Sequence, residues 1–569
     1  MDKWHSIKFL KPYLKPYRGK IIFAFFSMIV VAIATALSAY IMKPILNNIF
    51  TQKDEHYLYL IPLLIIAIFV TRGVFRFFSA YLTSFIGIEI TNKIRQELFE
   101  NAINAKTSNL EHLSTGDINT YIIQTVNNIK DLISKTIPSF ISGILTIIAL
   151  MGMILYLNWK LSMYAIILSI FILLPIRYLS KRVKKYVQDS EVNISKISNL
   201  VNEVFSNLDI VKVYNAQKLE QDKFDKYTKE YKNALNSLVK NQEASSPIME
   251  FFIALAISSV IFFGGLMVIK NQMTTGDFFA FLTALMMLYT PIKSTTRNSL
   301  VLKVLDSYIA RIEELLNIKK EPNIGENIDK IESIEFKDVS LTINGKTILN
   351  NISFKIEDKT SLAIVGKTGS GKSTIVALIL GLREATSGDI LINNKNIKNI
   401  NMHSIREQIS YVNQKAGIFN DTIKNNIIYT QKVKQDEYKL AKTQANCDFI
   451  DSIKEKDKYT VGEDGKKLSG GQKQRVALAR AIYKQGSLFI LDEATSALDE
   501  DTQKKVQEST QKILKENLSI IVAHRYNTIK DVDRVLVLSE GKVVKLGSFS
   551  QISNSKEFKQ NFNIEDINA

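Results

Sequence analysis

The sequence contains a single cysteine, Cys447, among 569 residues. One thiol excludes an intrachain disulfide and any metal site built from several cysteines. The first twenty residues lack a short apolar core followed by a small-residue cleavage site, so we expect no cleaved signal peptide. The net charge is +17, yet no arginine-rich tract is present. This spread of lysines is typical of the cytoplasmic faces of a membrane protein and does not indicate a nucleic-acid partner.

Long apolar runs are concentrated before residue 300. A helix needs about 20 apolar residues to cross a hydrocarbon core of ~30 Å. Six stretches meet this requirement: 21–42, 57–88, 133–157, 161–179, 248–269 and 278–300. Six runs of this length cannot all be buried inside one soluble domain. The sequence therefore predicts a membrane domain of six transmembrane helices at residues 21–318.

Residues 1–20 combine apolar side chains such as Phe9 and Leu10 with several lysines. This pattern predicts an amphipathic segment that lies in the membrane interface. Its basic residues favour a cytoplasmic N-terminus, and six crossings then return the chain to the cytoplasm. The inward connections, 89–132 and 180–247, are long, polar and helix-patterned, so their helices extend beyond the membrane. We expect residues 319–569 to form a second, cytoplasmic domain.

The first functional motif of this second domain is a phosphate-binding loop. The short apolar strand Ser361–Val365 leads into a glycine-rich loop and then a helical segment. The loop matches the pattern GxxxxGK[ST] and consists of Gly366, Lys367, Thr368, Gly369, Ser370, Gly371, Lys372, Ser373 and Thr374. Backbone N–H groups of such a loop surround phosphate oxygens, and the following helix N-terminus adds partial positive charge. We expect Lys372 to contact the β- and γ-phosphates of ATP and Ser373 to bind Mg²⁺.

A second apolar strand, Leu488–Leu491, ends in Asp492 and Glu493. Downstream of a phosphate-binding loop, Asp492 is placed to hold Mg²⁺ through water. Glu493 is placed to polarise the attacking water as general base or as orienting group. The pair predicts ATP hydrolysis.

The pentapeptide Leu468–Gln472 (LSGGQ) is not used by a generic phosphate-loop ATPase. With it, the soluble half resembles the ATP-binding-cassette family, and six spans before one cassette resemble its exporters. The resemblance implies a domain-intertwined membrane α-helical exporter carrying an α/β P-loop ATPase domain. It also implies a homodimer, in which Ser469, Gly470, Gly471 and Gln472 of one subunit contact ATP held by the other. Further roles implied by the resemblance are Gln414 as a Mg²⁺ contact and His524 as a γ-phosphate contact.

One position departs from that family. An aromatic residue upstream of the phosphate-binding loop usually stacks on adenine, and the matching position here is Ile343. Base–aromatic stacking is worth about 1–3 kcal/mol. We therefore expect weaker contact with the base and a looser preference for ATP over GTP, without loss of hydrolysis.

Four cations interrupt the predicted spans. Arg72 and Arg76 lie in the second span, and Lys293 and Arg297 lie in the sixth. Each pair is spaced i, i+4 and shares a helix face. Arg72 and Lys293 both lie about 22 Å from the outer end of their spans at 1.5 Å per residue. Such charges suit an anionic lipid headgroup, although they are also explained by snorkelling to the inner interface or by pairing with Glu89 or Glu250.

More narrowly, segments 208–224, 244–248 and 284–295 resemble the lipid A–core flippase family. That resemblance implies export of a phosphorylated glycolipid from the inner to the outer leaflet of the bacterial inner membrane. Arg72 and Lys293 match basic positions of that family, whereas a third is Ser142 here. Alternative cargoes are drugs, peptides or another lipid-linked glycan. An ATP-gated channel or regulator is a more distant reading, which Glu493 and His524 disfavour, and the six spans exclude a soluble chromosome-maintenance ATPase.

Overall fold

The computed structural model describes residues 5–302, 305–429, 431–492, 514–523 and 529–553, together with residues 508, 511, 555 and 558. The chain divides into two compact units. The first unit consists of Met1–Ala102 and Thr115–Asn317, and the second consists of Ile103–Ser114 and Ile318–Ala569.

The first unit is helical throughout its described part. Its longer helices are α1 (His5–Leu14), α2 (Arg18–Tyr40), α3 (Glu55–Ile103), α4 (Ile137–Leu157), α5 (Trp159–Ser206), α6 (Gln217–Ile269), α7 (Thr275–Met287), α8 (Tyr289–Leu302) and α9 (Leu305–Leu316). Short α and π segments fill Thr115 to Thr136, ending with the π segment Leu132–Thr136. Another short helix, Leu208–Val213, joins α5 to α6.

Each predicted span lies on one or more of these helices, and several helices continue well beyond the predicted span. Four stretches of the described residues are long and apolar enough to cross a membrane: Lys8–Thr51, Glu55–Ile103, Thr115–Leu157 and Thr275–Ser299. The end of α6, Ala254–Ile269, is a further, shorter apolar stretch among the described residues. The third and sixth predicted spans are not single α-helices. The sixth is divided between α7 and α8 just before Pro291, which has no N–H to continue the helical ladder.

The surface of α3 shows why these helices need lipid. Large apolar side chains such as Phe77 and Ile66 are 63% and 60% exposed. In contrast, Phe281 and Leu150 are fully buried where α7 packs against α4. A soluble protein would not leave so many large apolar side chains exposed along one helix, whereas a bilayer solvates them.

The N-terminal helix α1 is anchored by polar contacts to the long helices of the same unit. The Tyr13 hydroxyl donates a 2.5 Å hydrogen bond to Glu97, and His5 Nε2 lies 2.6 Å from Glu313 Oε2. Leu10 is buried, while Lys11 and Lys15 are exposed. This arrangement is the amphipathic pattern that the sequence indicates.

The described part of the second unit contains two sheets. The strands are β1 (Ser333–Ile343), β2 (Lys346–Glu357), β3 (Ser361–Gly366), β4 (Ser387–Ile392), β5 (Lys395–Asn396), β6 (Ile409–Val412), β7 (Leu488–Asp492), β8 (Leu518–Val522), β9 (Arg534–Ser539) and β10 (Lys542–Gly547). The antiparallel sheet has the order β2-β1-β4-β5, and the larger sheet has the order β10-β9-β3-β8-β7-β6. Among the described strands of the larger sheet, β9 and β10 pair antiparallel and the other neighbours pair in parallel. Helices α10 (Lys372–Ile379), α11 (Gln435–Gln444) and α12 (Gly470–Lys484) complete the framework of this unit.

Residues 103–114 belong to this second unit although the sequence analysis includes them in the membrane domain. Ala105 forms an antiparallel bridge with Lys320, and the Glu321 N–H donates to the Asn104 carbonyl at 2.8 Å. Glu111 forms a 2.6 Å ion pair with Arg383. Backbone pairing with Lys320 and Glu321 therefore sets the boundary between the two units, which hydropathy alone does not reveal.

Candidate functional site

The glycine-rich loop lies between the central strand β3 and helix α10. Strand β3 is buried over its full length and pairs in parallel with both β8 and β9. Gly369 and Gly371 have φ values of +82° and +104°, which side chains with a Cβ rarely adopt. These two glycines allow the chain to turn sharply from strand to helix, which directs the N-terminus of α10 toward the loop.

Lys372 is held at the mouth of this loop. Its Nζ donates to the Gly366 carbonyl at 2.7 Å and to the Lys367 carbonyl at 3.1 Å, and the residue is 6% exposed. Ser370 Oγ is buried and has no hydrogen-bond partner among the described residues. A buried lysine, an orphaned hydroxyl and a helix N-terminus together fit an anionic ligand such as a polyphosphate.

The order of the sheet brings the other predicted residues to the same edge. Carboxyl ends of parallel strands meet at one edge of a sheet, where ligands of such folds bind. The loop Gly366–Gly371 follows β3, Asp492 ends β7, and Gln414 follows β6. Ser373, Asp492 and Gln414 carry oxygen donors, the type that Mg²⁺ prefers. Glu493 and His524, which follow β7 and β8 in sequence, lie outside the described residues.

Asp492 is 5% exposed, and its negative charge affects the pKa of the neighbouring Tyr411. Burial, with a further contribution from Asp492, raises the pKa of Tyr411 to about 12. Tyr411 therefore stays neutral at physiological pH. The sequence gives no signal for Tyr411, because the pairing of β6 with β7 is what brings it near the carboxylate.

The pentapeptide Leu468–Gln472 leads into the start of α12. Ser469 caps this helix: its Oγ accepts from the Gln472 N–H at 3.2 Å, and Gln472 Oε1 accepts from the Ser469 N–H at 2.9 Å. Because this capping box uses Oγ as an acceptor, the Ser469 O–H can still donate. Ser469 and Gly470 are exposed. The helix start therefore presents a hydroxyl and backbone N–H groups at the surface, where they can meet a phosphate.

Arg480 connects this helix to the segment after Gln414. Its guanidinium donates to the Asn426 carbonyl at 2.6 Å and to the Gly417 carbonyl at 2.7 Å. Burial lowers the pKa of Arg480 from its usual value, yet the group remains charged. Sequence reasoning missed this residue, since a single arginine inside a helix carries no recognisable signal.

Ile343 is the last residue of β1 and is half-buried against the core of the antiparallel sheet. It pairs with Lys346 across the turn to β2. The position thus offers a branched aliphatic surface without a ring.

The membrane unit contains a cavity of about 610 Å³. Arg72, Arg76 and Ser142 line it, together with Lys135, which the sequence analysis did not select. Within the described part of the chain, no carboxylate forms an ion pair with Arg72 or Arg76. Glu89, one partner considered for them, accepts instead from the Tyr17 hydroxyl at 3.4 Å.

The two cations of the sixth predicted span, both described, lie outside the lining of this cavity. Lys293 Nζ lies 5.6 Å from the centre of the Tyr289 ring, one helical turn away. Arg297 is exposed on the same helix, α8. The cavity therefore combines Arg72 and Arg76 with Lys135. It does not include Lys293, which lies at the same predicted depth in the membrane as Arg72.

Comparison with known proteins agrees with both halves of this description. Residues 21–292 match the family model of the ABC transporter transmembrane region, and residues 349–496 match that of the ABC transporter. The chain is 33% identical to the ATP-dependent lipid A-core flippase of Desulfotalea psychrophila, over 97% of this chain and 98% of that protein. It is 32% identical to the flippase of the same name from Syntrophus aciditrophicus, over 94% of this chain and 90% of that protein.

A solved structure of a bacterial Atm1-family ABC exporter with ATP bound superimposes with a TM-score of 0.82. It covers 96% of this chain and 98% of that chain at 22% identity, and therefore supports the fold alone. The fold predicted from the sequence, a membrane-helical exporter domain joined to an ATP-binding-cassette domain, is confirmed. The chain belongs to the ABC transporter family, as an ATP-hydrolysing exporter of the group that includes the ATP-dependent lipid A-core flippases.

Proposed function

We propose that this protein is a homodimeric flippase of the bacterial inner membrane. ATP hydrolysis drives a phosphorylated lipid of the lipid A–core type from the inner to the outer leaflet. The observation that carries the proposal is the cavity of the membrane unit, lined by two arginines that no carboxylate neutralises within the described residues. The full-length relatives named as lipid A-core flippases support the choice of cargo.

Uncompensated charge within membrane-spanning helices is costly, and it is retained where it faces a ligand or a partner. A guanidinium binds phosphate through charge-assisted, often bidentate hydrogen bonds. A phosphorylated headgroup in the cavity would supply the missing anions for Arg72 and Arg76 while its acyl chains stay in lipid. Lys293 and Arg297 remain proposed substrate contacts on the sixth span, outside this cavity.

The ATPase unit would supply the energy at the edge of its parallel sheet. The loop of residues 366–374 would surround the phosphates, with Lys372 on the β- and γ-phosphates. Mg²⁺, when bound, would neutralise phosphate charge and be held by Ser373, Gln414 and Asp492. Glu493 would activate water, and His524 would contact the γ-phosphate.

Each site would be completed by the second subunit. The exposed hydroxyl of Ser469 and the N–H groups of Gly470 and Gly471 would donate to the γ-phosphate of the partner's ATP, with Gln472 in the same segment. A chain with one cassette then has to dimerise, because neither copy alone closes its own site. The basic N-terminal segment supports a cytoplasmic placement of both the N-terminus and the ATPase.

The cargo is tested by the ATPase activity of the protein in nanodiscs. Lipid A should stimulate wild type, and Arg72→Ala with Arg76→Ala should raise the half-stimulating lipid concentration about tenfold, because charge-assisted hydrogen bonds are lost. Lys270→Ala, which removes an exposed cation at the end of α6, is the matched control and should behave as wild type.

Two results would contradict the proposal. Unchanged lipid A stimulation in the double variant would remove the cavity from headgroup binding. Stimulation by amphiphilic drugs or peptides, with none by lipid A, would favour the alternative exporter function.

The nucleotide preference depends on Ile343. Since an isoleucine cannot stack on a base as a ring does, wild type should use GTP nearly as well as ATP. Ile343→Tyr should lower the KM for ATP about fivefold, within the range expected for one stacking contact. Steady-state kinetics with both nucleotides measures the effect. A strong preference of wild type for ATP, unchanged in the variant, would show that Ile343 does not face the base.

A further inference from the structure

Two polar stripes on neighbouring helical segments face the cavity of the membrane unit. On α3 the stripe consists of Arg72, Arg76, Ser79 and Thr83, and on the third predicted span it consists of Lys135, Ser139, Ser142 and Thr146. Both have the spacing i, i+4, i+7, i+11, which keeps side chains on one helix face. The cavity is thus lined along its length by hydroxyl groups, and the cations of the two stripes are Arg72, Arg76 and Lys135.

The two stripes run in opposite directions, so their cations lie at opposite ends. Thr83 Oγ1 lies 3.4 Å from the Ser134 carbonyl, which places Lys135 at the level of Thr83. Arg76 and Arg72 lie seven and eleven residues earlier on α3, roughly 10 and 16 Å away at 1.5 Å per residue. The cavity therefore has a double-arginine pole and a single-lysine pole, separated by hydroxyl groups.

Lys135 is the accessible group of the lysine pole. Its neighbour Ser134 also lines the cavity, but the Ser134 Oγ is buried against Gly87 of α3. A ligand in the cavity would therefore meet the ammonium of Lys135 and not this hydroxyl. Lys135 itself has a 3.3 Å contact with Asp131 one turn away on the exposed surface. Exposed pairs of this kind contribute little, and the lysine can exchange Asp131 for a better anion.

We infer that Lys135 is the second anion-binding pole of this cavity, and that the headgroup lies along α3 with its long axis between the two poles. The ligand class is a lipid whose headgroup carries an anionic group at each end of a hydroxyl-bearing saccharide. The arginine pole binds one phosphate, Lys135 binds the other, and the serines and threonines between them meet the sugar hydroxyl groups. This inference rests on the proposed function and specifies its ligand.

The test compares two forms of one lipid, a disaccharide lipid A with a phosphate at both ends and its monophosphoryl form, in phosphatidylcholine nanodiscs. Binding is measured directly on wild type, Lys135→Gln, Lys135→Arg and Lys130→Gln. Wild type should bind the bisphosphorylated lipid about tenfold more tightly than the monophosphoryl lipid, since one charge-assisted contact separates them. Lys135→Gln should reduce this preference to within about twofold, because the same contact is already lost.

Lys135→Arg keeps the charge and should retain the preference, which separates loss of the contact from misfolding. Lys130→Gln removes a lysine from the same run outside the lining of the cavity and should bind as wild type. A full preference in Lys135→Gln, or equal binding of the two lipids by wild type, would overturn the inference while leaving the proposed cargo intact. Failure of wild type to bind either lipid would instead overturn the proposed function, and the inference with it.

Discussion

Glu493→Gln should retain ATP binding while its hydrolysis falls by a factor of about 10² to 10⁴, the usual contribution of a positioned general base. Glutamine has nearly the same shape as glutamate but cannot accept a proton from water. Glu493 directly follows Asp492, the buried last residue of β7, at the edge where the phosphate-binding loop also lies. Phosphate release and binding of a fluorescent ATP analogue, measured on the same preparation, separate the two effects.

Glu516→Gln provides the matched control for this variant. Glu516 is an exposed carboxylate shortly before β8, so the Glu516→Gln variant should hydrolyse ATP at the wild-type rate. Near-normal turnover of Glu493→Gln would assign the activation of water to another group. Loss of nucleotide binding would instead show that Glu493 supports the site structurally.

The ATPase motifs could be predicted from sequence because their chemistry is local. The strand, the loop at Gly366–Gly371 and helix α10 are continuous in the chain, and the positive φ values of Gly369 and Gly371 follow from that connection. Asp492 and Gln414 lie far apart in sequence. Even so, each follows an apolar strand, and parallel strands bring such positions to a common edge.

The membrane site was less predictable because a cavity depends on how helices pack. Arg72 and Lys293 lie at equal predicted distances from the outer membrane surface, which predicts that they share a site. The cavity is lined instead by Arg72 and Lys135. The sequence does contain a signal for Lys135. This lysine falls inside the third predicted span, and its spacing from Ser139 and Ser142 places the three side chains on one helix face. Charge within a predicted span identifies candidates, but only tertiary structure shows which of them meet.

Discs that hold one copy of the protein should hydrolyse ATP about 10² to 10³ times more slowly per subunit than discs that hold two. That factor is the typical cost of removing preorganised donors from a developing negative charge. In the proposed site Lys372 and the glycine-rich loop would bind ATP within one chain, so one-copy discs should still bind the nucleotide. In the proposed homodimer they would lack the capped start of a second α12, with the hydroxyl of Ser469 and the N–H groups of the two glycines.

Two-copy discs with Ser469→Arg in both subunits should fall to the rate of the one-copy discs. In the proposed homodimer the bulky side chain would block the approach of α12 to the partner's phosphates and would leave Lys372 unchanged. In the free subunit the change costs only the helix cap, about 0.5–2 kcal/mol of stability, so the variant should still fold. Hydrolysis of ATP by one-copy discs at the two-copy rate per subunit would show that each cassette is complete by itself. Coupling between closure of the ATPase pair and the lipid cavity would then need another physical basis.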